Sequence, residues 1–119
     1  MLAAALLQTI EDAGVGVLTL TEGLQDDELI ASRLTRAEVT RQLRRLCDAV
    51  MGLPPEMRQE MPEVDWAGIQ TAGEALAGPV SVALDEAMVF LSRALVPAAL
   101  MWLRVYQQQN PQWFKLTPA

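Results

Sequence analysis

Five arginines, Arg33, Arg36, Arg41, Arg44 and Arg45, fall within thirteen residues of a chain that is acidic elsewhere. Guanidinium groups present fixed forks of donors to oxyanions, so such a cluster suits phosphate contact. On a helix, Arg41, Arg44 and Arg45 share the side opposite Val39, Leu43 and Leu46, which makes them the candidate phosphate-contacting residues. A second reading stays open. Glu38–Arg41 and Arg44–Asp48 have the spacings of ordinary helix-surface ion pairs, and a pI near 4.5 opposes any global attraction to nucleic acid.

The other chemistry-bearing residues point away from catalysis. The chain has no histidine, which excludes Ser/His and Cys/His nucleophilic pairs and every metal site that needs an imidazole. Cys47 sits in an apolar stripe without an adjacent cation, the setting of an inert thiol. Asp26, Asp27 and Glu28, or Asp85 and Glu86, could meet a hard cation, but they lack the spacing of a calcium loop and suit helix N-termini. No phosphate loop or dinucleotide glycine pattern occurs. No cofactor and no metal are expected.

A length of 119 residues suits one domain, expected over residues 1–109 with an irregular tail over 110–119. The hydrophobic share of 51% is high for a small domain and leaves apolar surface for a partner. The longest uncharged apolar runs are ten residues, short of a bilayer span, and the N-terminus lacks the basic start of a leader. A single cysteine agrees with a reducing compartment, so the expected location is the cytoplasm.

Apolar residues recur at helical spacing and strand alternation is missing, which predicts an all-α fold. A first helix covers about residues 2–20, and a short one follows near 27–32 with Asp26 as its cap. Thr35 and Glu38 have capping-box spacing, with Leu34 and Val39 as the staple, and open a helix that runs to Gly52. Its inward stripe is Val39, Leu43, Leu46, Cys47 and Val50. Pro54-Pro55 opens a short helix over 56–61, Asp65 caps one over 66–77, and Gly78-Pro79 breaks the chain again. The last helix, about 82–109, carries a heptad seam of Leu84, Met88, Leu91, Leu95, Ala98, Trp102 and Val105 that passes in phase across Pro97. Proline there should bend the helix without ending it. The whole is expected to be an up-and-down bundle of four to five helices with a long, kinked last helix, its tail pinned by Trp113 and Phe114.

The order TEGLQDDELIASRLTRAEVTRQLRRLCDAVMGLPPEM, then PEVDWAGI, then a long helix containing Pro97 resembles the HepT-like toxins of the HEPN superfamily over about residues 7–103. The resemblance implies that helical bundle, a homodimer, a nucleotidyltransferase-type antitoxin as partner, and ribonuclease activity from an Arg, four residues, His, one residue, Tyr motif. In the gap-free register that aligns Trp66 and Pro97, the motif positions are Gly73, Gly78 and Val80. None of them can activate a 2′-hydroxyl or stabilise a phosphorane. The implied protein is a catalytically silent, dimeric binding module. Its candidate interface residues are Ala72, Gly73, Met88, Leu91, Leu95 and Trp102, small or large apolar residues around the motif position. Two alternatives remain: a ribonuclease whose site is rebuilt from arginines and Glu74, and an unrelated helical adaptor.

Overall fold

The computed structural model describes residues 2–116, and they form an all-α bundle. Helix α1 (Leu2–Thr21) lies along α3 (Arg33–Gly52), which packs on α5 (Trp66–Leu76). A final helical run follows: α6 (Val82–Phe90), a π turn (Leu91–Leu95) and α7 (Val96–Gln109). Short helices α2 (Asp26–Ala31) and α4 (Pro55–Gln59) bridge the long ones. The 28 residues from Val82 to Gln109 extend about 42 Å at 1.5 Å per residue, most of the molecule's 46 Å long axis.

Local chemistry sets most boundaries. Helix α1 ends where Gly23 takes φ +78°, a left-handed conformation that glycine adopts without a Cβ penalty, while the Leu24 amide donates to Thr21 O at 3.1 Å. Asp65 caps α5 by accepting from the Gly68 amide at 2.9 Å. Trp66 donates its indole N–H to Arg58 O and Met61 O, fastening the α4–α5 connection. Ser81 caps α6, its Oγ accepting from the Leu84 amide at 3.1 Å. That cap is not evident from the sequence, where Gly78-Pro79 dominates the break.

Two expected caps are not formed. Helix α3 starts at Arg33, so Thr35 lies inside it, Glu38 turns forward to Arg41 and Gln42, and Leu34 is 84% exposed instead of stapled to the buried Val39. A guanidinium one turn ahead is the stronger partner for the carboxylate. In α2, Asp26 is the first helical residue, and the Gln25 amide donates to Glu28 Oε1 at 2.9 Å. Residues Asp26, Asp27 and Glu28 place their charges at the positive end of the helix dipole.

The core forms on the expected face of α3: Val39, Leu43, Leu46, Cys47 and Val50 are all buried, against Leu7, Ile10 and Val17 of α1 and Ile69 and Leu76 of α5. Glycine allows the two closest crossings. A Cβ on Gly14 would stand 2.9 Å from Leu100 Cδ2, and one on Gly73 would stand 3.0 Å from Cys47 Sγ. Helices 2–21 and 82–109 are long and apolar enough to cross a membrane by length and composition, a length that the uncharged runs do not reach because Glu11 and Asp12 in the first and Asp85, Glu86, Arg93 and Arg104 in the last interrupt them. Both carry a buried stripe that packs within this bundle.

The last helix departs most from expectation. Proline has no N–H to bond the carbonyl four residues back and its ring clashes with that carbonyl. Before Pro97 the chain winds a π turn, in which the Val96 amide donates to Leu91 O. The turn takes up one extra residue, and each residue is about 100° of helix rotation. The heptad seam therefore does not continue in phase. Leu84, Met88, Leu91 and Leu95 are buried, but beyond the turn the buried positions are Val96, Ala99, Leu100, Leu103 and Tyr106, and of these Ala99, Leu103 and Tyr106 lie one later than Ala98, Trp102 and Val105. The tail makes a 3-10 turn at Pro111–Phe114, with Trp113 stacked on Tyr106 at a ring distance of 6.2 Å. The remaining tail residues 117–119 lie outside the described residues.

Inside the π turn, Ser92 is 1% exposed and its hydroxyl has no partner among the described residues. A buried hydroxyl without a hydrogen bond is a net burden on stability. Ser92→Ala is expected to leave urea unfolding unchanged or stabilise the protein by up to about 1 kcal/mol. Destabilisation beyond that size would mean the hydroxyl is satisfied in solution.

Candidate functional site

The three residues at the register of the ribonuclease motif, Gly73, Gly78 and Val80, lie in three different settings. Gly73 sits at the α3–α5 crossing, with no space for a longer side chain unless Cys47 moves. Gly78 lies in the turn after α5, its amide donating to Ala75 O, and Val80 is 77% exposed on the approach to α6. Cys47 is buried, and its thiol is pushed up to about 11 by that burial and by the charge of Asp48. At neutral pH it stays protonated and is a poor nucleophile.

The arginine cluster divides between two flanks of α3. On one flank Arg41 donates Nε and Nη2 to the two carboxyl oxygens of Glu38, at 3.0 and 2.6 Å, and Arg45 donates to Gln42 Oε1 at 3.0 Å. Hydrogen bonds from Arg41 and Gln42 hold the Glu38 carboxyl down at about 2. Arg44 belongs to the other flank. Its Nε and Nη2 donate to Leu76 O at 3.0 and 2.7 Å, satisfying a carbonyl left open at the end of α5. Arg41, Arg44 and Arg45 therefore do not form one anion-facing strip, because Arg44 turns to the α5 side of α3 and Arg41 and Arg45 lie on the other.

A different trio shares one side of the helix. Arg33, Arg36 and Arg44 follow one stripe of α3 and line a cleft of about 530 Å³. Ile30 and Ala31 of α2 and Val80 and Leu84 at the start of α6 form its apolar walls. Arg36 Nη2 lies 2.6 Å from Asp85 Oδ1, so an ion pair ties α3 to α6 at the edge of this cleft. Arg33 makes no hydrogen bond or ion pair among the described residues. The signal was present in the sequence as spacings of three and eight, positions that return to one helix face. What it lacked was the location of α2 and α6, which complete the walls.

Most of the residues expected at a dimer interface pack within the chain's own core. Met88 and Leu91 are fully buried, Ala72 and Leu95 nearly so, Gly73 fits the α3–α5 crossing, and Trp102 is half-buried. The seam that looked surplus is what a bundle of this size requires internally. The large apolar side chains left exposed in this region are Val80, Val82 and Phe90 at α6 and Met101 beside Trp102. Phe90 lines a shallow groove between α5 and α6 together with Ala67, Ala72, Ala75, Ala83 and Glu86.

The carboxylates are distributed over structural tasks. Asp26 pairs with Arg93, Glu28 bonds the Gln25 amide, and Asp85 meets Arg36. Among the described residues no three potential ligands gather as a metal site. Glu74 is exposed on α5. Comparison with models of protein families, with curated proteins and with solved structures gives no match.

Proposed function

We propose that this chain is a HepT-like helical module that acts by binding, as a pair of identical copies, and does not cleave RNA. The observation that carries the reading is the α3–α5 crossing at Gly73, where the motif's arginine would stand against Cys47, in a chain without histidine. Metal-independent cleavage needs groups that move a proton and stabilise phosphorane charge. The arginines that could have supplied charge elsewhere are mostly tied to Glu38, Gln42, Leu76 and Asp85.

Self-association uses the exposed α5–α6 face. Phe90 is a protruding knob and the small residues beside it form a shallow depression, a combination that a two-fold axis can make self-complementary. In the family that the sequence resembles, the nucleotidyltransferase antitoxin modifies the motif tyrosine, and this chain has Val80 at that position. Its single tyrosine, Tyr106, is 9% exposed and stacked on Trp113, a poor acceptor for modification.

The test is light scattering and sedimentation over the micromolar range, together with incubation of the purified protein with varied RNAs. A dimer is expected, with Phe90→Asp shifting it to monomer while its thermal transition as a monomer stays intact. A monomer at high micromolar concentration would refute self-association. RNA cleavage that copurifies with the protein through successive columns would refute the non-catalytic reading.

A further inference from the structure

We infer that the cleft between α3, α2 and the start of α6 is an anion site that takes a small phosphate monoester, its phosphate held by Arg33 beside Arg36, with Arg44 adding positive charge from further along the cleft, and its organic body on Ile30, Val80 and Leu84. A phosphate monoester presents three terminal acceptor oxygens and close to two negative charges, which suits the guanidinium forks that line this cleft better than a carboxylate does.

Two of the three arginines are held in place before any ligand arrives. Leu76 O fixes Arg44 through Nε and Nη2, leaving Nη1 without an assigned partner, and Asp85 holds one arm of Arg36. Arg33 is exposed and unengaged among the described residues, so it can close over a bound phosphate. Ligand binding then orders one long side chain instead of three, which lowers the entropic cost. The Asp85 carboxylate offsets one of the three positive charges and leaves the cleft cationic. The volume of about 530 Å³ lies in the range of clefts that hold small molecules.

The size of the ligand follows from the rest of the surface. With a net charge of −6, the protein repels any polyanion that extends beyond the cleft, whereas a small monoester meets only the local cationic field. This site does not depend on self-association, and Phe90 is not among the residues that line it.

The experiment is titration by calorimetry and by amide NMR with inorganic phosphate, uridine 5′-monophosphate, uridine, and a short single-stranded RNA. Phosphate and the monophosphate are expected to saturate one site per chain, the monophosphate more tightly, with amide shifts at Ile30–Ala37 and Val80–Leu84. Arg33→Glu should weaken the monophosphate about tenfold or more, because it reverses a charge at the ligand without removing any intrachain bond. Arg45→Glu, on the other flank of α3, should leave affinity within about twofold. Absence of saturable binding by either phosphate ligand would overturn the inference, as would equal losses from Arg33→Glu and Arg45→Glu. Equal binding of uridine would show that the phosphate is not recognised. Tighter binding of the RNA with a salt slope of several phosphates would replace the monoester with a polyanion. Phe90→Asp should bind the monophosphate as the parent does, which separates this result from the outcome for the dimer.

Discussion

Ala99→Glu is expected to abolish or nearly abolish folding, and Ala98→Glu to leave stability within about 0.5 kcal/mol of the parent. The two positions are adjacent, carry the same residue and lie in the same helix, so helix propensity cannot separate them. What separates them is the π turn. Ala99 is 3% exposed and faces the core with Leu103 and Tyr106, whereas Ala98 faces outward. A glutamate at 99 must bury its carboxyl without a partner or push α7 off the bundle. Either route costs several kcal/mol against a total stability of about 5–15 kcal/mol. An uninterrupted heptad predicts the reverse order, with Ala98 inward. Far-UV circular dichroism in urea decides between them, and similar midpoints for the two variants would refute the register described here.

That register illustrates which parts of the fold could be read from the sequence. Breaker residues, Pro54-Pro55 and Gly78-Pro79, divide the chain where helices end, and the α3 stripe from Val39 to Val50 is buried as its spacing predicts. Asp65 caps the helix it precedes. These features depend on a few neighbouring residues. The π turn does not: Pro97 signals a disturbance, but bending and taking up an extra residue are alternative responses to the same missing hydrogen bond. Only the partners across the helix select one.

Competition for charged groups was equally hidden. Thr35 and Glu38 have capping-box spacing, but Glu38 is also one turn from Arg41 and Gln42, and the local pattern cannot rank these partners. The candidate site suffered most from this. Arg44 was grouped with Arg41 and Arg45 on helical spacing alone, while its acceptor, Leu76 O, lies 32 residues away in the chain. The same limit applied to Met88 and Leu91: apolar excess in a long helix indicates burial but does not state whether one chain or two provide it. In both cases the deciding contact is tertiary.

Arg93→Ala is the second large effect, expected to lower stability by about 2–3 kcal/mol, because one guanidinium serves three acceptors at once. Its Nε donates to Asp26 Oδ1 at 3.0 Å, Nη1 to Thr21 O at 3.2 Å, and Nη2 to Leu24 O. Two of these are carbonyls at the end of α1 and in the turn after it, where a helix leaves acceptors unpaired and a cation meets the negative end of its dipole. The Asp26 carboxylate is 59% exposed, so water screens that pair and the carbonyl bonds supply most of the expected loss. Lysine keeps the charge but cannot reach three divergent acceptors from a single ammonium, so Arg93→Lys should fall between the parent and the alanine variant. Because Arg93 lies within the π turn, it also ties the widened segment of the last helix to the α1–α2 corner. Amide exchange should therefore quicken in α2 and at the end of α1 before it does in α3, as expected for loss of a local clamp on a cooperative core. A midpoint for Arg93→Ala within about 0.5 kcal/mol of the parent would show that water replaces the guanidinium at these carbonyls without penalty.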